Sequence, residues 1–124
     1  MKKVVTLFVF LYISAFAYSQ TIQWQKSIGG TNLDDQRSLW HTSDGGCIIS
    51  GRSFSLDGDV TGHHGTGSSC DWWIVKLDSN GALQWQESLG GTNRDEGYSI
   101  QQTSDGGYIL GGTSGSNDGD VTGN

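Results

Sequence analysis

Two loops of the sequence carry closely spaced acidic residues that could bind a metal ion. They read SLDGDVTGHHG and SNDGDVTGN, and their acids are Asp57, Asp59, Asp118 and Asp120. Carboxylate oxygens are the hard ligands that Ca²⁺ prefers, and calcium loops place them at alternate positions. The loops lack the D-x-D-x-D-G run and the bidentate Glu of a full calcium loop. Two hypotheses stay open: calcium ligands, or an Asp-Gly-Asp segment that builds a polar turn.

A second kind of acidic pair follows each Gly-Gly dipeptide, as Asp34-Asp35 and again as Asp95-Glu96. Paired carboxylates can hydrolyse glycosidic bonds when one of them has a raised pKa. A catalytic pair is expected once per protein, whereas a structural pair recurs with each repeated unit. The recurrence predicts a structural role.

The remaining candidates for chemistry are histidines and serines. His63 and His64 are adjacent and His41 is distant in sequence, whereas zinc needs three or four converging ligands. Ser43 and Ser104 lack the G-x-S-x-G pattern of a nucleophile elbow. The sequence therefore predicts no catalytic residue, no enzyme and no cofactor, with calcium the one exception left open.

These residues belong to an internal repeat, the strongest signal in the sequence. When the chain is shifted by 61 residues, 25 of the 42 pairs that start at residues 22–63 are identical, without a gap. The first copy takes residues 20–82 and the second takes residues 83–124. The second copy has no counterpart of GTGSSCDWWIVKLDSNG, so the chain is expected to be a fragment of a longer product.

Each repeat reads as four short strands. Alternating apolar residues predict strands at residues 71–77, 83–89, 98–103 and 108–113. Tyr98 and Ile100 are expected to point inward. The TSDGG segments supply the Asp and Gly that hairpin turns require. We therefore predict an all-β fold of four-stranded antiparallel blades, with fewer than two blades present and a β-solenoid as the less favoured alternative.

The tryptophans divide into structural and surface candidates. Trp24 and Trp85 share one repeat position, which favours blade core. Trp72 and Trp73 point to opposite faces of one strand, so one of them is a candidate for exposure. Trp40 has no aromatic counterpart in the second copy, which makes it the better candidate for stacking on a sugar ring.

Two cysteines could form a disulfide, but their positions argue against it. Cys47 and Cys70 begin successive predicted strands. If those strands pair antiparallel, their first residues lie at opposite ends of the pair, too far apart for a disulfide.

The first 19 residues predict export. Lys2 and Lys3 precede an apolar run too short to span a membrane, and small residues follow it. This pattern indicates a signal peptide at residues 1–19, no membrane span after cleavage, and an extracellular, cell-surface or periplasmic location. The remaining chain has five basic and thirteen acidic residues, a net charge of −8, which argues against nucleic acid as a partner.

Part of the chain resembles a known blade-locking motif. In the tryptophan-docking motif of quinoprotein-type propellers, an Asp, a Gly and a Trp four residues after the Gly lock adjacent blades. The matching residues in KLDSNGALQW are Asp78, Gly81 and Trp85. The turn is one residue shorter than usual, so the resemblance implies blade geometry and no quinone cofactor.

The whole pattern resembles a family of secreted bacterial β-propeller-type repeat proteins. Its repeat reads W-x-K…GG…SDGGYI…DGDV-x-GN…D-x-W-x-VKLD-x-x-G, and all four segments occur here. The resemblance implies multi-bladed propellers, often with a sorting domain that this sequence lacks. The implied partners are further blades of the same chain or other copies, with a surface glycan or protein as ligand. It leaves open a binding module dependent on carbohydrate or calcium, and a propeller hydrolase or lyase whose active site lies in missing blades.

Overall fold

The computed structural model of this protein describes residues 20–123, so the predicted signal peptide lies outside the described residues. The described chain is all-β, as predicted, and contains no helix. Its six strands are β1 (Asp34–His41), β2 (Cys47–Ser53), β3 (Asp71–Leu77), β4 (Leu83–Leu89), β5 (Asp95–Gln102) and β6 (Tyr108–Ser114).

The strands form two antiparallel sheets. The first has the order β1-β2-β3-β4, and the second contains β5 and β6. Strands β3 and β4 have the predicted bounds, whereas β5 begins three residues earlier than predicted. Within residues 20–123 the two sheets do not close into a ring.

The four-stranded sheet does not coincide with one sequence repeat. Its last strand, β4, is the first segment of the second repeat and pairs with β3 of the first. The equivalent segment of the first repeat, residues 22–28, is not a strand.

Equivalent β-bulges interrupt β1 and β5. The register shifts between Gln36 and Ser38 in β1, and between Gly97 and Ser99 in β5. A bulge adds one residue and breaks the alternation of side chains. Tyr98 is that added residue, and it is 46% exposed. The prediction that Tyr98 points inward is therefore wrong, while the prediction for Ile100 is confirmed because its side chain is buried.

A register shift between β3 and β4 also changes which side chains of β4 lie on the same face of the sheet. Leu83 lies opposite Leu77, whereas Trp85 lies opposite the neighbouring residue Lys76. Directly opposed residues share a face, so Leu83 and Trp85 lie on opposite faces of the sheet. Simple alternation along residues 83–89 predicts one shared face for Leu83 and Trp85, and that prediction is wrong because of the register shift.

Hydrophobic clusters cover both faces of β3. Trp73, Val75 and Leu77 belong to one cluster, with Cys47 and Val60. The opposite face carries Ile48 and Ile74, which pack against Ile100 of the second sheet, with Trp72 at the edge of this cluster. The predicted alternation of β3 is confirmed, and neither Trp72 nor Trp73 is exposed. The second cluster holds the two sheets together.

The prediction that Trp24 and Trp85 form blade core is wrong, because each is 40% exposed. Trp24 lies over the turn at Gly81, and its indole Nε1 donates a hydrogen bond to the Ser79 carbonyl at 3.2 Å. Trp85 makes an edge-to-face contact with Tyr108, with ring centroids 5.8 Å apart. Trp24 therefore packs on a turn, and Trp85 packs on Tyr108, which borders the second cluster.

Both cysteines are free and buried. Cys47 lies opposite Leu77 and Ser53 lies opposite Asp71, so Cys47 and Cys70 sit at opposite ends of the β2–β3 pair. The prediction of no disulfide is confirmed, for the reason given by the antiparallel register.

Candidate functional site

The Asp-Gly-Asp segment of the first repeat binds the backbone of the Gly-Gly-Thr loop. The backbone N–H and the hydroxyl of Thr31 donate to the two carboxylate oxygens of Asp57, at 2.8 and 3.0 Å. The N–H of Gly29 donates to Asp59 at 3.2 Å. The Gly between the acids is required, because Gly58 has φ +69° and a side chain there would collide with the Gly29 carbonyl.

The second repeat makes the same contacts. Thr92 donates through its N–H and its hydroxyl to Asp118, both at 2.8 Å, and the N–H of Gly90 donates to Asp120 at 3.4 Å. The hydrogen bonds from the backbone and side chain of Thr92 lower the pKa of Asp118. All four candidate calcium ligands therefore accept hydrogen bonds from the chain itself.

The four aspartates do not form a recognisable metal centre. Among the described residues, no group of three or more His, Cys, Asp and Glu side chains is arranged to hold a metal ion. A carboxylate that accepts one N–H bond keeps further lone pairs, so calcium binding by Asp57, Asp59, Asp118 and Asp120 stays a prediction.

The first acid after each Gly-Gly pair also accepts hydrogen bonds from the Gly-Gly-Thr loop. Asp34 accepts bonds from the N–H of Gly30 at 2.8 Å and from the hydroxyl of Ser55 at 3.0 Å. Its hydrogen bonds bring the Gly-Gly loop together with the end of β2. Contacts of this kind are what the predicted structural role requires, and that role stays a prediction.

Asp95 repeats this arrangement in a buried setting. It accepts bonds from the N–H of Gly91 at 2.8 Å and the hydroxyl of Ser116 at 2.7 Å, and also from the Ser114 hydroxyl. Burial raises the pKa of Asp95, but the hydrogen bonds from Ser114, Gly91 and Ser116 outweigh it and leave that pKa lowered. A general acid requires the opposite shift.

The second acid of each pair joins an ion-pair cluster between the two sheets. Arg52 reaches Glu96 at 2.5 Å and Asp35 at 3.2 Å. Tyr98 donates its hydroxyl to Glu96, and this bond lowers the pKa of Glu96 to about 2 against the effect of burial, with further help from Arg52 and Arg94. These carboxylates therefore bind cations and donors of the chain itself.

A histidine lies at the junction of the two repeats. Nδ1 of His64 is 2.8 Å from Asp71, its Nε2 is 3.5 Å from Asp120, and its backbone N–H donates to Asp71 at 2.7 Å. The hydrogen bond with Asp71 raises the pKa of His64, against its partial burial and with help from the charges of Asp71, Asp120 and Asp95.

His63 lies beside the same carboxylate. Its side chain is 2% exposed, and Nδ1 is 3.9 Å from Asp71. Within the described part of the chain, neither ring nitrogen of His63 has a hydrogen-bond partner. Sequence reasoning missed this junction, because nothing in the spacing of His63, His64 and Asp71 relates them to Asp120 of the other repeat.

The TSDGG segments form the predicted hairpin turns. Asp44 accepts bonds from the Thr42 hydroxyl and from the N–H of Gly46, and Gly45 has φ +82°. The hydrogen bonds from Thr42, Lys76 and Gly46 lower the pKa of Asp44. Ser43 lies within the first turn, at the position predicted for it.

An apolar surface remains exposed where β1 meets the second sheet. Trp40 is 41% exposed, and an open cleft beside it is also lined by Leu39 and Ile109. The prediction that Trp40 is a surface residue is confirmed. Whether it binds a sugar stays a prediction.

No protein-family model matches the chain, and no curated protein matches its sequence. The resemblance to secreted propeller-type repeat proteins therefore stays a prediction. In residues 20–123 there is no helix that is long and apolar enough to cross a membrane.

Proposed function

We propose that this protein is a non-catalytic, exported repeat protein of the propeller type, with a structural or binding role at the cell surface or outside the cell. The supporting observation is that equivalent acids accept equivalent hydrogen bonds in the two repeats. Asp34 and Asp95, like Asp57 and Asp118, bind the backbone and hydroxyls of their own loops through the same contacts. Carboxylates engaged in this way hold loops in place, and this supports a structural role.

The export part is tested on the native product. Cells that make the protein are separated into cytoplasmic, periplasmic, surface and medium fractions, and the product is identified by intact mass and N-terminal sequencing. We expect a chain that begins at Gln20, or two residues earlier, outside the cytoplasm. A product that keeps Met1 and stays in the cytoplasm would contradict export.

The non-catalytic part is tested by comparing the two repeats. If the acids are structural, Asp34→Asn and Asp95→Asn each lower the melting temperature. An enzymatic activity that one of these substitutions abolishes in a folded protein, while the other leaves it unchanged, would show a single active site. That result would favour the hydrolase or lyase alternative.

A carbohydrate-binding module is the second candidate, and the exposure of Trp40 beside an open cleft favours it. An exposed indole presents a flat apolar face on which a sugar ring can stack. The test is a glycan array followed by titration calorimetry with wild type and Trp40→Ala. Binding that Trp40→Ala abolishes and Trp24→Ala preserves supports this role, whereas no glycan bound by the wild type rejects it.

A further inference from the structure

The open cleft beside Trp40 is lined by equivalent segments of both repeats. Its volume is about 630 Å³, within the ~300–1,000 Å³ that is typical of sites for small ligands. Strand β1 supplies residues 38–40, and β5 supplies residues 99–101, which are the same positions one repeat later. Residues 109–111 of β6 complete the lining. The cleft is therefore formed within one chain, where its two repeats meet.

Only one of the three paired positions changes its chemistry between the repeats. The first is serine in both repeats, and the second is Leu39 in one and Ile100 in the other. The third is Trp40 in the first repeat and Gln101 in the second. Residues that a repeat needs for folding recur with it, as the acids of the Gly-Gly loops do. The indole of Trp40 and the amide of Gln101 are therefore candidates for a role other than folding.

The polar groups of these two side chains are not used by the fold. Both side chains are exposed, and within residues 20–123 neither the Trp40 Nε1 nor the Gln101 amide has a hydrogen-bond partner. Comparable groups elsewhere are engaged. The amide oxygen of Gln102 accepts a bond from a backbone N–H of the first hairpin turn at 2.8 Å, and Nε1 of Trp72 donates to a serine hydroxyl at 2.6 Å. The cleft therefore offers free donors and a free acceptor to a ligand.

The lining of the cleft carries no charge. It consists of serine, leucine, isoleucine, tryptophan, glutamine and glycine residues. An anionic group would find no cation to pair with in the cleft, and a cationic group would find no carboxylate. Because a charged group that leaves water without a partner loses its hydration energy, this lining favours a neutral ligand.

A neutral sugar chain has the surface that such a lining can bind. An exposed indole presents a flat apolar face against which the C–H groups of a sugar ring can pack. Sugar hydroxyls both donate and accept hydrogen bonds, as the unpartnered amide does. In the described chain β1 and β5 are edge strands, so backbone N–H and C=O groups outside the ladders also border the cleft.

We propose that this cleft binds an uncharged oligosaccharide, with Trp40 stacked on one sugar ring and Gln101 hydrogen-bonded to sugar hydroxyls. The inference rests on the carbohydrate-binding role proposed above, and it adds the ligand class and a second contact residue. The amide of Gln101 selects for hydroxyls, because it offers a donor and an acceptor without a charge. Since the two residues belong to different repeats, the site requires both sheets.

The experiment is titration calorimetry of the purified protein with hexasaccharides. The neutral probes are a β-1,4-glucan, an α-1,4-glucan and a β-1,4-mannan. The charged probe is an α-1,4-galacturonan of the same length, which carries a carboxylate on each ring. We expect at least one neutral probe to bind with a Kd of about 10 μM to 1 mM, and the galacturonan to bind at least about tenfold more weakly than that probe.

Two variants test the contacts, each with a matched control. Trp40→Ala should weaken binding of the neutral probe at least about tenfold, because the stacking surface is lost. Gln101→Ala should weaken it at least about fivefold, because hydrogen bonds to the amide are lost. Trp24→Ala and Gln25→Ala should bind like the wild type, since neither residue lines the cleft. Circular dichroism checks that all variants are folded.

Each contrary result overturns a defined part of the proposal. If no neutral probe binds, the proposal is rejected. If only the galacturonan binds and Trp40→Ala abolishes that binding, the uncharged class is wrong while the carbohydrate-binding role stands. Neutral binding that Gln101→Ala leaves unchanged removes Gln101 from the site. None of these results depends on export, so a failure here and a failure of the proposed function are distinguishable.

Discussion

Asp57 and Asp118 each accept two hydrogen bonds from one threonine, through its backbone N–H and its hydroxyl. At the scale of single residues, this contact explains why the same acid occurs in both repeats. A loop rich in glycine leaves backbone donors without partners in a strand, and a nearby carboxylate satisfies them.

The calcium hypothesis can be tested through these carboxylates. Asp57→Asn should lower the melting temperature without metal, because an amide replaces one acceptor oxygen by a donor and removes the charge. If the loops bind calcium, calcium raises the melting temperature of the wild type above that in chelator, and Asp57→Asn reduces this rise. Asp105→Asn in a hairpin turn is the control, and an equal rise in both variants would contradict the hypothesis.

His64 predicts a dependence of stability on pH. Its pKa is raised in the folded protein from the usual 6.5, so its stabilising contribution is fully present below that value and is lost as pH rises through the folded pKa. The groups that face it are Asp71 and Asp120, with His63 on the other side of Asp71. We expect the melting temperature of the wild type to fall over this window relative to that of His64→Gln.

His41→Gln is the control for this measurement, because His41 is exposed. Its melting temperature should follow the wild type across the window. If the melting temperatures of the wild type and His64→Gln change with pH in parallel, the contact of His64 with Asp71 and Asp120 does not contribute to stability.

At the scale of elements, one tryptophan holds residues 22–28 against the four-stranded sheet. The resemblance to a docking motif pairs Gly81 with Trp85, but in the structure the indole over Gly81 belongs to Trp24. Asp78 closes this turn, because it accepts bonds from the N–H groups of Asn80 and Ala82. The contacts of Asp78 and Gly81 described here are therefore made within the first repeat.

Substitution of Gly81 tests this packing. Gly81 has φ +78°, and a Cβ added there would lie 2.6 Å from the Trp24 ring. Gly106 has φ +88° with nothing within 4 Å of such an atom, so Gly106→Ala measures the backbone strain alone, about 1–2 kcal/mol. We expect Gly81→Ala to lower the free energy of unfolding in urea by more than Gly106→Ala does.

Gly81→Ala should lower the free energy of unfolding no more than Gly106→Ala does when Trp24 is also replaced by Ala. The ring that causes the collision is then absent. Equal effects of the two glycine substitutions in the wild type would contradict the docking of Trp24 on this turn.

At the scale of the whole molecule, the contact between the sheets depends on close approach of Trp72 to the second sheet. A side chain at Gly97 would overlap the indole of Trp72. Gly97→Ala should therefore separate the sheets and lower the free energy of unfolding by about 1–3 kcal/mol or more. Gly111→Ala is the control, since the added atom would meet only the movable hydroxyl of Ser99. Equal urea midpoints for the two variants would contradict this account.

Much of the fold follows from the sequence because its signals are local. Turn chemistry at TSDGG and alternation in β3 act over a few residues, and both predictions are confirmed. The exposure of Tyr98 could not be predicted, because a bulge arises from the pairing of two strands. The incomplete burial of Trp24 and Trp85 likewise depends on which segments lie opposite them.

By itself, the sequence determined an all-β repeat whose acids recur with the repeat, because turn propensity and alternation are properties of short segments. Only the tertiary structure decided that β4 joins the sheet of the preceding repeat, that His64 links Asp71 to Asp120, and that Leu39 and Ile109 remain exposed. These features are contacts between residues far apart in the chain. They are set by register and by packing of sheet on sheet, which no single segment encodes.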